Sequence, residues 1–264
     1  MVASDGVQTD SATPTGVALR MGTPALLVAL AAAGWWWSVR MADDMAGTGS
    51  AMGMGDMAEE EMLALAPFMV AWLAMMTAMM FPAIAPVVKL YGRAAAAGRV
   101  APLPFFVAGY IAVWTALGLP AYGAWRALMD PIDRAEPWAG RLAGGVLIAA
   151  AIWQLTPLKS VCLRHCRSPI SFFMRFGART ARPSGALQMG AAHGAFCVGC
   201  CWALMAVLVA LGTMNLAWMV ILAALIMLEK NAPFGEGIAR TAAVGFVILG
   251  VTLLVRPDTL IALT

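Results

Sequence analysis

Apolar residues in this chain gather into long runs separated by short polar or charged segments. Seven runs approach or exceed the ~20 residues needed to cross a hydrocarbon core ~30 Å thick, near residues 21–38, 64–88, 101–125, 140–157, 186–211, 214–228 and 237–255. Uninterrupted runs of this length predict helices. Barrel strands would instead be segments of ~10 residues with alternating hydrophobicity. The pattern therefore predicts an all-α polytopic transmembrane helix bundle with about seven spans. Residues 1–20 are rich in Ser, Thr and Gly and short of large apolar side chains, so they are expected to form a disordered tail. Residues 21–264 form a single helical domain. Asp5 and Asp10 precede the first run and no small-x-small cleavage site follows Trp35-Trp36-Trp37, so this run reads as a retained anchor rather than a secretory signal.

Composition supports the same class. Hydrophobic residues make up 62% of the chain and charged ones 12%, which leaves too little polar surface to cover a soluble domain of this size. Assigning alternate loops to one side gathers Arg20, Lys89, Arg93, Arg99, Lys159, Arg164, Arg167, Arg175, Arg179, Arg182, Lys230 and Arg240, twelve of the seventeen basic residues. Basic loops resist translocation, so the N-terminus is expected to be cytoplasmic and the C-terminus external, in a bacterial inner membrane. Topology then explains the net charge of +3, and nucleic acid drops out as a partner. Pro82 and Pro86 should kink or unwind the second run near its cytoplasmic end. Residues 169–176 form an apolar patch flanked by arginine that suits a short helix in the headgroup layer.

The chemistry concentrates in the fifth run, at His193-Gly-Ala-Phe-Cys197-Val-Gly-Cys200-Cys201-Trp202. Helical spacing aligns Met189, His193, Cys197 and either Cys200 or Cys201 on one stripe. Thiolate, thioether and imidazole select Cu(I) or Zn(II) over hard cations, which prefer oxygen. A plain packing explanation competes, in which the cysteines are small buried hydrophobes and Gly190, Gly194 and Gly199 let helices approach. An imidazole in hydrocarbon needs a partner, however, and the nearest candidates in the sequence are sulfurs.

Further soft donors follow the same theme. Met75, Met76, Met79 and Met80 stack on the second run in interleaved i, i+4 pairs, although a methionine stripe also serves as ordinary core. Met52 and Met54 lie in a Met-, Gly- and acid-rich outer loop, where thioethers suit an oxidising exterior better than thiols. Cys162, His165 and Cys166 sit among basic residues that should favour thiolates. With the assigned topology, no cysteine falls in an external loop, which argues against a disulfide framework. Glu229 is a candidate counter-charge behind a bound cation.

The segments Met75 to Pro82, Gln154 to Lys159 with Cys162 and Cys166 to Pro169, Gly185 to Met205, and Glu229-Lys230 together resemble a bacterial family of predicted metal-binding integral membrane proteins of unknown function. The resemblance covers roughly Ala64 to the last run. It implies a metal-binding membrane protein and adds no reaction or cargo. The expected function is handling of Cu(I) by transport, sequestration or delivery, with zinc as the second candidate and a metallochaperone or membrane cuproenzyme as partner. Two rivals stand beside it: a membrane thiol-disulfide oxidoreductase using Cys197 and Cys200 with a quinone, and a scaffold or assembly factor without catalysis. No nucleotide-binding signature is visible, so any transport is expected to be passive or ion-coupled.

Overall fold

The computed structural model describes residues 29, 31–37, 39–40, 57–134, 136–168, 174–211, 215–260 and 263. The expected tail over residues 1–20 and the outer-loop residues Met52 and Met54 lie outside the described residues. The elements are α1 (Met57–Ala96), α2 (Leu103–Asp133), α3 (Pro137–Leu155), α4 (Pro157–Arg167), α5 (Pro183–Ala210), α6 (Leu216–Asn231) and α7 (Gly235–Val255). Short 3₁₀ turns cover Gly177–Ala181 and Pro257–Leu260. The described part is all-α, as the hydrophobic pattern predicts. Of the first run, residues 31–37 are helical, and at Gly34 this segment lies against Ala74 and Ala78 of α1.

Among the described residues, five helices are long and apolar enough to cross a membrane: Leu65–Ala96, Leu103–Leu128, Pro137–Leu155, Pro183–Ala210 and Gly235–Val255. The sixth expected run is the shorter α6, whose 16 residues rise only ~24 Å at 1.5 Å each. Helix breaks follow local chemistry. Pro157 has no N–H, so α3 stops at Leu155 and α4 restarts one residue later, where the Thr156 hydroxyl accepts the Lys159 N–H at 3.3 Å. Asn215 caps α6 by accepting from the N–H groups of Ala217 and Trp218. The expected unwinding at Pro82 and Pro86 does not occur, because α1 stays helical through both. In that turn the Ala83 carbonyl accepts from the Asn231 side chain.

The bundle is built around α5, which touches α2, α3, α4 and α6. From Ala203 to Leu211 every side chain except Ala206 is buried. A helix apolar on all sides belongs in the interior. In α1, burial is one-sided at Phe68 and Trp72 and spreads to most of the helix surface between Met75 and Val88, where Met75, Met76, Ala78, Met79, Met80, Phe81, Ala83, Ile84, Val87 and Val88 are all buried. The bundle's exterior is apolar as well, with Val244, Val247, Ile248 and Val251 of α7 and Val220 and Ile221 of α6 exposed. Lys159, Glu229 and Lys230 are buried instead.

Glycine sets the closest helix crossing. A Cβ at Gly109 of α2 would overlap the Leu187 carbonyl of α5, and one at Gly190 of α5 would overlap the Phe106 carbonyl of α2. Backbone cannot move aside as a flexible side chain can, so these positions fix how near α2 lies to α5. Substituting alanine at Gly109 or Gly190 is expected to destabilise the detergent-purified protein by at least about 1–3 kcal/mol, the usual range for overpacking. Gly145→Ala and Gly245→Ala, where a Cβ meets nothing within 4 Å, should leave the thermal midpoint at or above that of the parent.

Candidate metal site

The soft-donor stripe read from the sequence faces the interior of the bundle. Met189, His193 and Cys197 are fully buried, and Cys200, Cys201 and Met205 are no more than 3% exposed. The convergence on this stripe is tertiary. Cys197 Sγ receives a hydrogen bond from Lys230 Nζ of α6 at 2.8 Å and lies 3.1 Å from the Tyr110 hydroxyl of α2. Cys200 Sγ donates to the Cys197 carbonyl at 3.1 Å, and it lies 3.4 Å from Cys201 Sγ. Cys166 Sγ arrives from α4, 3.8 Å from Cys200 Sγ. Four thiols, a phenol and an ammonium thus meet in one buried volume. His193 sits one turn before Cys197, with the rings of Phe106 and Tyr110 each 6.0 Å away.

These spacings suit a soft cation. Two sulfurs each ~2.3 Å from one ion lie ~3.8 Å apart at the tetrahedral angle and up to ~4.6 Å apart when collinear. Cys166 and Cys200 already stand at the first of these separations. Among the described residues, no group of three or more His, Cys, Asp or Glu side chains is placed so that it could hold a metal ion as it stands. Closing the set around an ion therefore requires rearrangement of the side chains.

Lys230 and Tyr110 were not singled out from the sequence. Lys230 had a visible signal, being an ionisable residue at the end of an apolar helix. Tyr110 had none, because its meeting with Cys197 depends on the α2–α5 crossing. Cys166 was expected on an inner loop and instead completes the buried cluster, while its neighbour Cys162 stays half-buried against Gly199. The expectation that nearby basic residues favour thiolates on this helix does not hold. Burial pushes the Cys162 thiol up. Cys166 is held well above the usual thiol value, first by its hydrogen bonding to Cys197 and further by burial.

Met75, Met76, Met79 and Met80 are all buried on α1, which packs on α2 and α6, the helices that carry Tyr110 and Lys230. Tyr110 borders both regions, since its ring lies 6.4 Å from that of Phe81, next in the chain after Met80. Glu229 accepts from Lys159 Nζ at 2.6 Å and from Gln154 Nε2 at 2.8 Å. The counter-charge to Glu229 is therefore Lys159, and it is Lys230 that reaches sulfur.

A bundle of apolar helices here closes around four thiols, a phenol and an ammonium. The chain belongs to the PpoB2 copper chaperone family, whose model matches residues 69–253. That range contains all five cysteines and Met75 to Met80. No curated protein and no solved structure matches the chain.

The Lys159–Glu229 pair behind the site is buried, with both side chains 2% exposed. Removing one partner of such a pair strands a charge at a cost of about 3–5 kcal/mol, whereas replacing both with neutral groups of similar size is often near neutral. Lys159→Met is therefore expected to lower unfolding stability by that amount in detergent. Lys159→Met combined with Glu229→Gln should recover most of the loss.

Proposed function

We propose that this protein is an integral membrane copper chaperone that carries Cu(I) on the buried thiols of Cys166, Cys197, Cys200 and Cys201, with His193 as an adjoining ligand. The observation that carries this reading is the meeting of Cys166 with Cys200 and Cys201, from two helices, beside the ammonium of Lys230. Thiolates, thioethers and imidazole favour Cu(I) over hard cations. Two thiolates binding one Cu(I) keep a net charge of −1, and the buried Lys230 ammonium offsets it. Zn(II) bound by the same two thiolates would leave the Lys230 charge uncompensated.

An inverted surface supports the membrane setting. Branched aliphatic side chains on α6 and α7 face outward while Lys159, Glu229 and Lys230 are buried, an arrangement suited to lipid outside and polar chemistry inside. The distribution of basic residues supports about seven spans with the N-terminus cytoplasmic and the C-terminus external. In this topology Met52 and Met54 collect copper outside. The thioethers of Met75, Met76, Met79 and Met80 offer weak intermediate sites along α1, and the cargo passes to a metallochaperone or membrane cuproenzyme. The oxidoreductase alternative needs a partner disulfide to approach Cys197 or Cys200. Those two residues are only 0% and 1% exposed.

The test is Cu(I) titration of the reduced, chelator-free protein in detergent against a competing chelator, with elemental analysis. The wild type should take up a stoichiometric equivalent of copper and show Cu–S scattering near ~2.3 Å, the usual metal–thiolate distance. Cys200→Ser should lose that equivalent, and Lys230→Met should weaken binding by about 10–100-fold, as expected for a group that holds a ligand in place. A wild-type protein that binds no copper, or that forms a mixed disulfide at Cys197 with quinone-dependent reoxidation, overturns the proposal.

A further inference from the structure

Helix α4 carries three side chains able to meet a soft cation, and the structure separates their roles. Cys166 is 6% exposed and belongs to the buried cluster. Cys162, one turn earlier, is half-buried. Its sulfur rests on the bare backbone of α5 at Gly199, where an added Cβ would come within 2.9 Å of it. The residue after Gly199 is Cys200. A side chain at position 199 would push Cys162 off α5 and away from the cluster.

His165 follows Cys162 by three residues, a helical spacing that sets the two Cβ atoms ~5–6 Å apart. It is also half-buried. Its ring stacks on Phe196 of α5, with centroids 4.6 Å apart and planes 4° from parallel. Nδ1 lies 2.9 Å from the Val161 carbonyl oxygen. A carbonyl only accepts, so Nδ1 carries the proton in the neutral ring and Nε2 keeps its lone pair. Metal-binding imidazoles are commonly held in this way, with one N–H fixed by a carbonyl and the other nitrogen left for the ion.

Burial rises in order along this path. Cys162 and His165 are half-buried, Cys166 is 6% exposed, Cys200 1% and Cys197 0%. We propose that Cys162 and His165 form an exchange station through which Cu(I) enters and leaves the buried thiol cluster, passing by way of Cys166 to Cys200. This rests on the copper reading above and adds the route and its outer ligands. Each step forms one Cu–S or Cu–N bond and breaks another. Copper stays Cu(I); a thiol that joins passes its proton to the thiolate or imidazole that leaves, and His165 joins through its free Nε2 lone pair without losing a proton.

The test separates rate from equilibrium in the full-length reduced protein. Cu(I) bicinchoninate is mixed with the protein in a stopped-flow instrument, and transfer is read from loss of the chelate absorbance. Cys162→Ser and His165→Phe, the second of which keeps the stack on Phe196, are each expected to slow loading by about tenfold or more, a barrier increase of at least ~1.4 kcal/mol. Final copper content should match the wild type, with affinity within about twofold, a difference below ~0.5 kcal/mol. Cys162→Ala substitutes if the serine variant fails to fold. Wild-type loading rates in both variants would overturn the station, and so would loss of bound copper at equilibrium in the Cys162 variants, which would make Cys162 a cluster ligand. A wild type that takes up no copper would instead remove the copper reading on which the station rests.

Discussion

Two successive residues of α6, Glu229 and Lys230, are ionisable and buried among apolar helices. A charge withdrawn from water must find an opposite charge or a set of hydrogen bonds, or its helix will not settle there. One residue apart on a helix, the two side chains point about 100° apart, so a single partner cannot serve both. Glu229 takes Lys159 of α4 and Gln154 of α3, and Lys230 takes Cys197 of α5. These three contacts tie α6 to three other helices. The position of the sulfur cluster relative to its ammonium follows from them.

The second constraint is how close helices can come. At Gly109 and Gly190 the backbones of α2 and α5 approach until no Cβ would fit. That approach brings the Tyr110 hydroxyl within 3.1 Å of Cys197. Along α4, the gap left by Gly199 receives the Cys162 sulfur, while Cys166 reaches Cys200. The glycines of the cysteine-rich segment thus have a packing role and a chemical one together. They shorten the distances between backbones so that side chains from different helices share one volume.

A chaperone has to hold a soft ion firmly and still give it up. In the proposed reading, buried thiols beside a fixed cation supply the holding, because the site is shielded and the charge is balanced. In the same reading, half-buried donors on the flank supply a way out through ligand exchange, which spares the ion from ever being bare in an apolar medium. Met75, Met76, Met79 and Met80 add neutral, weakly binding sulfur that costs little to bury. The family assignment as a copper chaperone agrees with a donor set of this kind.

The long apolar helices and the stripe of Met189, His193, Cys197 and Cys200 were legible in the sequence, because they depend on helical period and hydrophobicity alone. So was the soft character of the donors, which is a property of residue type. The pairing of Glu229 with Lys159 was not legible, since the two lie 70 residues apart and several basic residues could have served. Nor was the transfer of Cys166 from an inner loop into the cluster, which required Pro157 to break α3 from α4 and α4 to lie along α5. The expected thiolate character of Cys162 and Cys166 failed for a related reason, because counting nearby charges in the sequence ignores burial. The sequence by itself determined the long apolar helices and which residues are chemically suited to a soft metal. Only the tertiary structure decided which of them meet, because contacts between helices depend on close approach and on the partnering of buried charge, and neither is encoded in the period of any single segment.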